Sequence, residues 1–208
     1  MDVDFVYLAS GSPRRRLLLS QIGVPFQVLS VAVDESIVAA EAAVSYVSRL
    51  AEAKAAAGWH KSAADGAPSR PVLGADTAVV LDGAILGKPA DGADAQRMLR
   101  LLSSRTHEVL TAVALASADG VVSRLSRSEV TFREIAPREA REYWNTGESL
   151  DKAGAYAIQG YGAVFIAGLS GSYSGVMGLP LFETAEILRS AGVPCWLASR
   201  SVGERDER

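Results

Sequence analysis

The sequence predicts an α/β fold in which a mixed, twisted sheet is flanked by helices, on three observations. Apolar runs rich in strand-forming residues alternate with amphipathic stretches whose apolar residues recur every three or four positions. Asp82-Gly83 and Asp119-Gly120 separate strand-like runs, a pattern typical of hairpins. The 208 residues are 49% hydrophobic, so the chain can bury a substantial core. Because hairpins interrupt the alternation of strands and helices, we expect both parallel and antiparallel neighbours.

Each predicted element follows from its period and from the residues at its ends. Pro13 suits the first turn of a helix and Gly23 its C-terminal end, so the first helix covers 13–23. Alanine-rich amphipathic sequence predicts a second helix over 39–58, and the Gly, Ser and Pro residues of 60–71 predict an exposed connection. Three further helices are predicted, over 93–102, 137–145 and 181–191. The predicted strands cover 3–9, 26–33, 72–81, 85–86, 107–116, 121–133, 156–158 and 164–166.

Composition and charge exclude several classes of function. The formal net charge of −3 provides no positive field for a polyanionic duplex or an anionic bilayer, so we expect no nucleic-acid partner and no membrane partner. Cys195 is the single cysteine and cannot form an internal disulfide; with only His60 and His107 beside it, a structural zinc site is excluded. No apolar run approaches the length of a membrane span, and the acidic start is unlike a signal peptide. These features predict a cytoplasmic protein.

The first candidate site lies where the first strand turns into the first helix. Ser10 and Ser12 are short residues at this turn, and Arg14 and Arg15 follow on the helix. Free backbone N–H groups of a first helical turn bind anions, and arginine forks match phosphate oxygens, so the segment is typical of a phosphate site. The alternative is a solvated basic turn after a Ser-Pro cap.

The second candidate site is Asp76-Thr77, which interrupts an apolar strand. A carboxylate within such a run is costly to bury unless it is paired or coordinated, so we expect Asp76 at the edge of the sheet, facing a site. The alternative is an aspartate that caps or turns the end of the strand. Lys54 and Lys88 are candidates for the compensating charge; each is also compatible with an ordinary solvent-exposed lysine.

Three other motifs fail on their spacing or residue types. Gly83 to Lys88 has one residue too few for a P-loop, and Pro89 stands where a magnesium-binding hydroxyl is required. Tyr173 occupies the nucleophile position of a Gly-x-Ser-x-Gly elbow, which removes the best case for a serine hydrolase. His107 lies among strand-like residues and is interpreted as a hydrogen-bonded structural histidine.

Taken together, these segments resemble the Maf family of nucleoside triphosphate pyrophosphatases, from Leu8 to about Leu188. Many ordered blocks carry the resemblance. They are Leu8-Ala9-Ser10-Gly11-Ser12-Pro13-Arg14-Arg15, Asp34-Glu35, Arg49-Leu50-Ala51 with Lys54, Gly74-Ala75-Asp76-Thr77, Gly87-Lys88-Pro89, His107-Glu108-Val109-Leu110-Thr111, Asp151-Lys152-Ala153-Gly154-Ala155-Tyr156-Ala157-Ile158-Gln159-Gly160 and Gly178-Leu179-Pro180. The Gly-Ala-Asp-Thr and Tyr-Ala-Ile-Gln blocks are similar to the branch that acts on dTTP and UTP.

The resemblance implies a fold, an activity and residue roles. The fold would be inosine-triphosphatase-like, with two lobes around a central cleft in a single domain, 1–208, whose tail after about 200 is frayed. The activity would be that of a hydrolase acting on acid anhydrides, which converts dTTP and UTP to the monophosphate and pyrophosphate and so cleanses nucleotide pools. Asp76 would be the proton acceptor, and Arg14, Thr77 and Gln159 would set base specificity. A homodimer is compatible with the resemblance.

The expected chemistry also requires positive charge and a divalent metal. Arg14, Arg15, Lys54, Lys88 and the first helix N-terminus would neutralise the triphosphate. We expect Mg²⁺ or Mn²⁺, because carboxylate and phosphate oxygens suit such ions, with Glu35 and Asp76 as candidate ligands. Gln159 carries both a donor and an acceptor, as thymine and uracil recognition requires.

Two alternatives remain open at this stage. The chain could be a nucleotide-binding regulator linked to septum formation and cell division, with little turnover, or an enzyme with another base preference. Asp76, Lys54 and Lys88 favour catalysis, because a sensor does not need a carboxylate that activates water.

Overall fold

A computed structural model describes residues 5–196 and contains one seven-stranded sheet. Its order is β2-β1-β3-β5-β6-β7, with β4 paired to β3; β2, β1 and β3 are parallel neighbours and every other pair is antiparallel. The predicted α/β class with a mixed sheet is confirmed. The strands are β1 (Val6–Leu8), β2 (Phe26–Val28), β3 (Val72–Leu81), β4 (Ala84–Leu86), β5 (Thr106–Ser117), β6 (Gly120–Phe132) and β7 (Ile166–Ser170).

Helices cover both faces of this sheet. One face packs against α2 through a layer of small residues, and the other carries the larger apolar cluster, to which α1, α3, α4 and α6 contribute. Alternate residues of β3 divide between the two: Ala78 and Val80 face α2, whereas Ala75 and Val79 belong to the larger cluster. The helices are α1 (Pro13–Gln21), α2 (Ala43–Ala64), α3 (Gly92–Leu102), α4 (Pro137–Asn145), α5 (Tyr173–Met177) and α6 (Leu181–Ser190), with 3-10 turns at Ala153–Ala155 and Tyr161–Phe165.

The sheet has a gap beside the middle of β3. On that side β1 pairs with β3 only as far as Leu73, and β4 pairs with it from Val79 onward. Between these points, residues 74–78 of β3 pair with β5 and, within residues 5–196, with no other strand. An interior strand therefore has a free edge over five residues, which we call the β3 gap.

Helix α2 lies unusually close to β3 because of Gly74. A Cβ at this position would overlap the carbonyl oxygen of Ala51 and lie 2.6 Å from the backbone nitrogen of Ala55. Glycine is thus required for the approach of helix to strand, which in turn determines how far side chains of α2 reach across β3.

The sequence-based boundaries fail in several places. Helix α2 continues to Ala64, through the predicted exposed connection, because this turn packs against the sheet: Ser62 is buried, and Trp59 contacts the cluster of Tyr7, Ala9 and Val72. The second strand ends at Val28 and does not extend to 33.

The glycine-rich region also differs from its prediction. Residues 156–158 form no strand; they are a buried segment after a 3-10 turn whose Gly154 has a φ of 69°. Residues 164–165 belong to a second 3-10 turn, so the last strand begins at Ile166. Helix α5 was not predicted.

Two further predictions concern membranes and the tail. Within residues 5–196, no helix combines the length and apolar character needed to cross a membrane. The predicted frayed tail lies outside the described residues.

Candidate active site

A cleft of about 670 Å³ lies at the β3 gap. Its walls include the chain just beyond β1, the end of β4 and residues 76–79 of β3. All ten residues predicted from the sequence to form the site line this one cleft, although they are distributed over the chain. They are Ser10, Ser12, Arg14, Arg15, Glu35, Lys54, Asp76, Thr77, Lys88 and Gln159.

Four of these residues form a chain of alternating charges. Lys54 Nζ lies 2.7 Å from Asp76 Oδ1 and 2.6 Å from Glu35 Oε1, and Lys88 Nζ lies 3.4 Å from Glu35 Oε2. The side chains of Lys54 and Asp76 are each only 11% exposed, whereas that of Lys88 is 58% exposed. The hydrogen bond from Lys54 is the main reason that the pKa of Glu35 lies below its usual value. Lys54 therefore connects the two carboxylates that the sequence singled out as metal ligands.

Local structure explains why Lys54 reaches Asp76. Asp76 alternates along β3 with Gly74 and Ala78, so it faces α2, and Lys54 lies one turn after Leu50 on that helix. Burying an ionised aspartate beneath a helix without a partner would reduce the free energy of unfolding by roughly several kcal/mol. A hydrogen-bonded lysine offsets this cost. The predicted position at the sheet edge needs a correction: β3 is an interior strand, and Asp76 meets the cleft at the β3 gap.

Arg15 is fully engaged by the protein. Its Nε donates to the Gly178 carbonyl at 2.7 Å, and its two terminal nitrogens donate to Ser10 Oγ at 3.2 Å and Thr77 Oγ1 at 3.3 Å. Burial lowers the pKa of Arg15, and the nearby Asp76 carboxylate opposes this effect. The guanidinium thus joins the turn after β1, strand β3 and the end of α5, while its charge remains in the cleft wall.

Arg14 has more freedom than Arg15. Its Nε donates to the Met177 carbonyl at 3.2 Å, and its terminal nitrogens make no hydrogen bond within residues 5–196. Burial lowers its pKa, partly opposed by Asp151. Ser12 is the N-cap of α1 but its hydroxyl makes no capping bond; its backbone N–H donates to Ser10 Oγ at 3.2 Å. Arg14 is therefore available to bind an anion.

Thr77 and Gln159 both line the cleft, Thr77 from β3 and Gln159 from the segment between the two 3-10 turns. Thr111 Oγ1 is 2.8 Å from the Gly175 carbonyl and 3.1 Å from Thr77 Oγ1. Thr111 donates its one proton mainly to the nearer Gly175 carbonyl, and Thr77 Oγ1 is the acceptor of the longer contact. The exposed Gln159 amide makes no hydrogen bond within the described part of the chain, so both its donor and its acceptor are free.

Sequence reasoning missed three cleft residues. Asp151 and Lys152 begin the glycine-rich block and line the cleft near Arg14. The pKa of Lys152 lies below its usual value, mainly because of burial and secondly because of the positive charge of Arg14. Tyr46 also lines the cleft, and its hydroxyl donates to the Glu35 carbonyl at 3.0 Å. Asp151 and Lys152 could have been found from the sequence, because they are the first residues of a block that carries the family resemblance. Nothing in the sequence beyond its place on α2 marks Tyr46 as a cleft residue.

The cleft differs in charge from the whole chain. Its charged lining residues are five basic and three acidic, whereas the chain has a net charge of −3. Local positive charge in a protein of negative net charge favours a small polyanion over a long nucleic acid.

His107 is outside the cleft. It is 2% exposed, its Nε2 lies 2.9 Å from the Tyr156 hydroxyl, and burial lowers its pKa to about 4. The imidazole is therefore neutral at neutral pH and packed in the core, in line with its interpretation as a structural residue.

The chain is similar to several proteins named dTTP/UTP pyrophosphatase. It is 54% identical to that of Saccharophagus degradans, over 92% of this chain and 90% of the relative. It is 52% identical to that of Nitrosospira multiformis, over 90% and 95%, and 53% identical to that of Burkholderia pseudomallei, over 91% and 94%. Among solved structures, the Staphylococcus aureus Ham1 protein is matched at 15% identity with a TM-score of 0.39, over 77% of this chain and 79% of that chain.

A family model described as Maf-like protein matches residues 5–191, which is most of the chain. This match and the identity to the three relatives agree with the blocks that suggested the resemblance, and the chain belongs to the Maf family.

Proposed function

We propose that the protein is a nucleoside triphosphate pyrophosphatase that hydrolyses dTTP and UTP to the monophosphate and pyrophosphate, and so removes unwanted nucleotides. The observation that carries the proposal is the cleft at the β3 gap, in which the Lys54–Asp76 pair lies with Arg14, Lys88 and Gln159. The names of relatives more than 50% identical supply the substrates.

The cleft cations would bind and neutralise the triphosphate. Lys88 and Lys152 approach from loops, Arg14 has free terminal nitrogens, and the first turn of α1 adds backbone N–H groups. A nucleophile is repelled by four negative charges unless they are compensated, so these groups lower the barrier through electrostatic stabilisation.

Asp76 is proposed to accept the proton of the attacking water. One of its carboxylate oxygens is held by Lys54 at 2.7 Å, and the other has no hydrogen-bond partner within residues 5–196. The water oxygen would bond to the α-phosphorus, the bond from that phosphorus to the bridging oxygen would break, and pyrophosphate would leave. The water proton would move to Asp76, while Lys54 fixes the carboxylate in place.

The donor set fits a divalent metal. The described residues contain no cluster of three or more acidic, His or Cys side chains suited to a metal. Glu35 and Asp76 are nevertheless close together, because both carboxylates contact the Lys54 ammonium. Mg²⁺ and Mn²⁺ are commonly bound by one or two carboxylates together with substrate phosphates. We propose Glu35 and Asp76 as the protein ligands. When bound, the ion would supply charge for the phosphates and acidify water.

Base recognition is proposed for Gln159 and Thr77, which both line the cleft. The amide of Gln159 has both groups that pair with the carbonyl and N3–H edge shared by thymine and uracil. A site that depends on this edge accepts both bases and disfavours cytosine.

The decisive experiment measures pyrophosphate release from dTTP, UTP, CTP and methylated GTP, with and without Mg²⁺. We expect release from dTTP and UTP, loss of release with a chelator, and a decrease of about 10²- to 10⁴-fold in kcat for Asp76→Asn. The matched control is Asp65→Asn, since Asp65 is also paired with a lysine, at 2.9 Å from Lys61, but lies outside the cleft. Unchanged kcat in Asp76→Asn would refute the assignment of the proton acceptor.

The same assay, combined with calorimetry of nucleotide binding, separates the regulator from the enzyme. Nucleotide binding without release by the unmodified protein would contradict the proposed function and favour a regulator. Release from CTP or methylated GTP in preference to UTP would retain the enzyme class and overturn the base preference.

Three further features, the single domain, the homodimer and the cytoplasmic location, remain proposals. The larger core cluster joins residues from Val6 to Val193, which supports a single domain. We retain a homodimer and a cytoplasmic location as predictions, to be measured by sedimentation and by cell fractionation.

A further inference from the structure

Glu148 does not line the cleft itself, and its carboxylate accepts three hydrogen bonds. Its Oε1 accepts hydrogen bonds from the Tyr143 hydroxyl at 2.7 Å and from the Gly162 N–H at 2.9 Å, and its Oε2 accepts one from the Tyr161 N–H at 2.8 Å. Burial alone would raise the pKa of Glu148, but these three bonds, the Gly162 one first, hold it below the usual value. The side chain is therefore an ionised acceptor at neutral pH.

Tyr143 extends this contact to the other end of the same segment. Its hydroxyl accepts a hydrogen bond from the Ala157 N–H at 3.1 Å while it donates to Glu148. The ring is buried on α4 and packs edge-on against Phe165, with ring centroids 5.1 Å apart. Glu148 and Tyr143 thus hold both ends of residues 157–162, which we call the Gln159 loop.

The packing leaves little space for another arrangement. A Cβ at Gly160 would overlap the Glu148 carboxylate, and one at Gly162 would lie 2.8 Å from the Tyr143 hydroxyl. Within the loop, the backbone hydrogen bond from the Gly160 N–H to the Ala157 carbonyl is long, at 3.5 Å. Gln159 itself makes no hydrogen bond to the described residues. The position of Gln159 therefore depends on the contacts of its neighbours in the loop, which are the hydrogen bonds to Tyr143 and Glu148 and the buried side chain of Ile158.

We infer that Glu148, acting through Tyr143 and the Gln159 loop, is a positioning residue that determines which base the cleft accepts. This inference rests on the proposed function, because it assigns Gln159 to the base. Glu148 lies behind the loop and does not itself line the cleft, so its effect would be indirect: a shift of the loop moves the Gln159 amide relative to the base edge. Hydrogen-bond recognition depends steeply on such displacements.

The test compares Glu148→Gln with Glu142→Gln. The first variant retains one acceptor oxygen but directs an NH₂ group at a backbone N–H. Glu142, in contrast, is 59% exposed, and within residues 5–196 its side chain is hydrogen-bonded only to Arg138. We expect Glu148→Gln to raise KM for UTP and to reduce the kcat/KM preference for UTP over CTP by about tenfold, with kcat for UTP much less affected. Glu142→Gln should behave as the unmodified protein.

Tyr143→Phe provides a second variant that preserves the packing of the ring. It removes the bond to Ala157 and one of the three bonds to Glu148, so we expect a smaller loss of the same preference. A preference unchanged in both variants would overturn the inference. An equal fall of kcat on every nucleotide, with unchanged preference, would assign Glu148 to folding alone and overturn it as well.

Binding separates this inference from the proposed function. Calorimetry of UTP and CTP on Asp76→Asn, with and without Glu148→Gln, measures base preference in the presence of Mg²⁺ without requiring turnover. If the unmodified protein releases no pyrophosphate, the proposed function fails, while the binding preference still tests the role of Glu148. A preference for UTP that Glu148→Gln leaves intact would reject that role whatever the activity.

Discussion

Acidification should destabilise this protein through one histidine, His107. The imidazole is buried beside the rings of Phe132 and Tyr156, it contacts the Tyr156 hydroxyl through Nε2, and its Nδ1 has no hydrogen-bond partner in the described residues. Burial lowers its pKa to about 4, against an ordinary value of 6.5. Tyr156 is the titratable side chain in contact with it, and burial raises the pKa of that phenol, so it stays neutral.

The size of the effect follows from these two values. Below pH 6.5 the unfolded chain binds a proton at His107, whereas the folded chain does not until the pH approaches 4. The unfolded state therefore binds more protons, and the free energy of unfolding falls as the pH is lowered through this window. The contribution of His107 is a loss of about 2 kcal/mol between about pH 8 and about pH 5, and of about 3 kcal/mol at lower pH.

Urea denaturation at the two pH values measures this contribution. The comparison uses the unmodified protein, His107→Gln and His60→Gln; the chain has two histidines, and His60 is exposed. Because carboxylates titrate alike in all three proteins, the difference in pH dependence isolates each histidine. We expect His107→Gln to remove about 2 kcal/mol of the loss and His60→Gln to leave it unchanged. The same pH dependence in His107→Gln and in the unmodified protein would refute a neutral, buried imidazole.

Two other substitutions probe the scaffold of the cleft. Gly74→Ala should push α2 away from β3 and separate Lys54 from Asp76. We therefore expect kcat, measured by pyrophosphate release, to fall about tenfold or more. The control is Gly168→Ala, where a Cβ meets only ordinary contacts and should have little effect. Arg15→Lys should lower the free energy of unfolding in urea by about 1–3 kcal/mol, because an ammonium cannot make all three of its hydrogen bonds; equal stability of this variant and the unmodified protein would contradict the role of the fork.

Strand β3 and the helix at Pro137 show which elements could be predicted from the sequence. Strand β3 has the predicted bounds because its apolar run ends at an Asp82-Gly83 turn, a local signal. Helix α4 likewise begins at its predicted proline. Residues 156–158 were misjudged because their apolar side chains are buried in a segment without strand pairing, and burial alone does not distinguish the two.

The candidate site shows a similar division. Residue types, together with the resemblance to the Maf family, predicted which side chains belong together, and all ten line one cleft. What each contacts depends on long-range geometry: Arg15 bonds to Gly178, 163 positions away, and Glu148 binds backbone groups 13 and 14 positions beyond it. Such partners are invisible to spacing and composition, since any carboxylate in a polar stretch resembles a solvated one. Coordinates were accordingly needed to distinguish Arg14, whose terminal nitrogens make no hydrogen bond within residues 5–196, from the fully engaged Arg15.

The β3 gap explains why neighbouring residues of one strand can serve one ligand. Asp76 faces α2 and pairs with Lys54, whereas Thr77 points to the opposite face and contacts Arg15. Successive side chains of an ordinary interior strand are separated by the sheet itself, so no small molecule reaches both. Here β1 ends at Leu8 and β4 begins pairing beyond the gap, so the cleft passes beside the free edge of β3 and is lined from both faces. In the proposed function, Asp76 with Lys54 on one face and the Thr77 hydroxyl on the other would then act on a single nucleotide, which requires the interrupted sheet as much as the residues it carries.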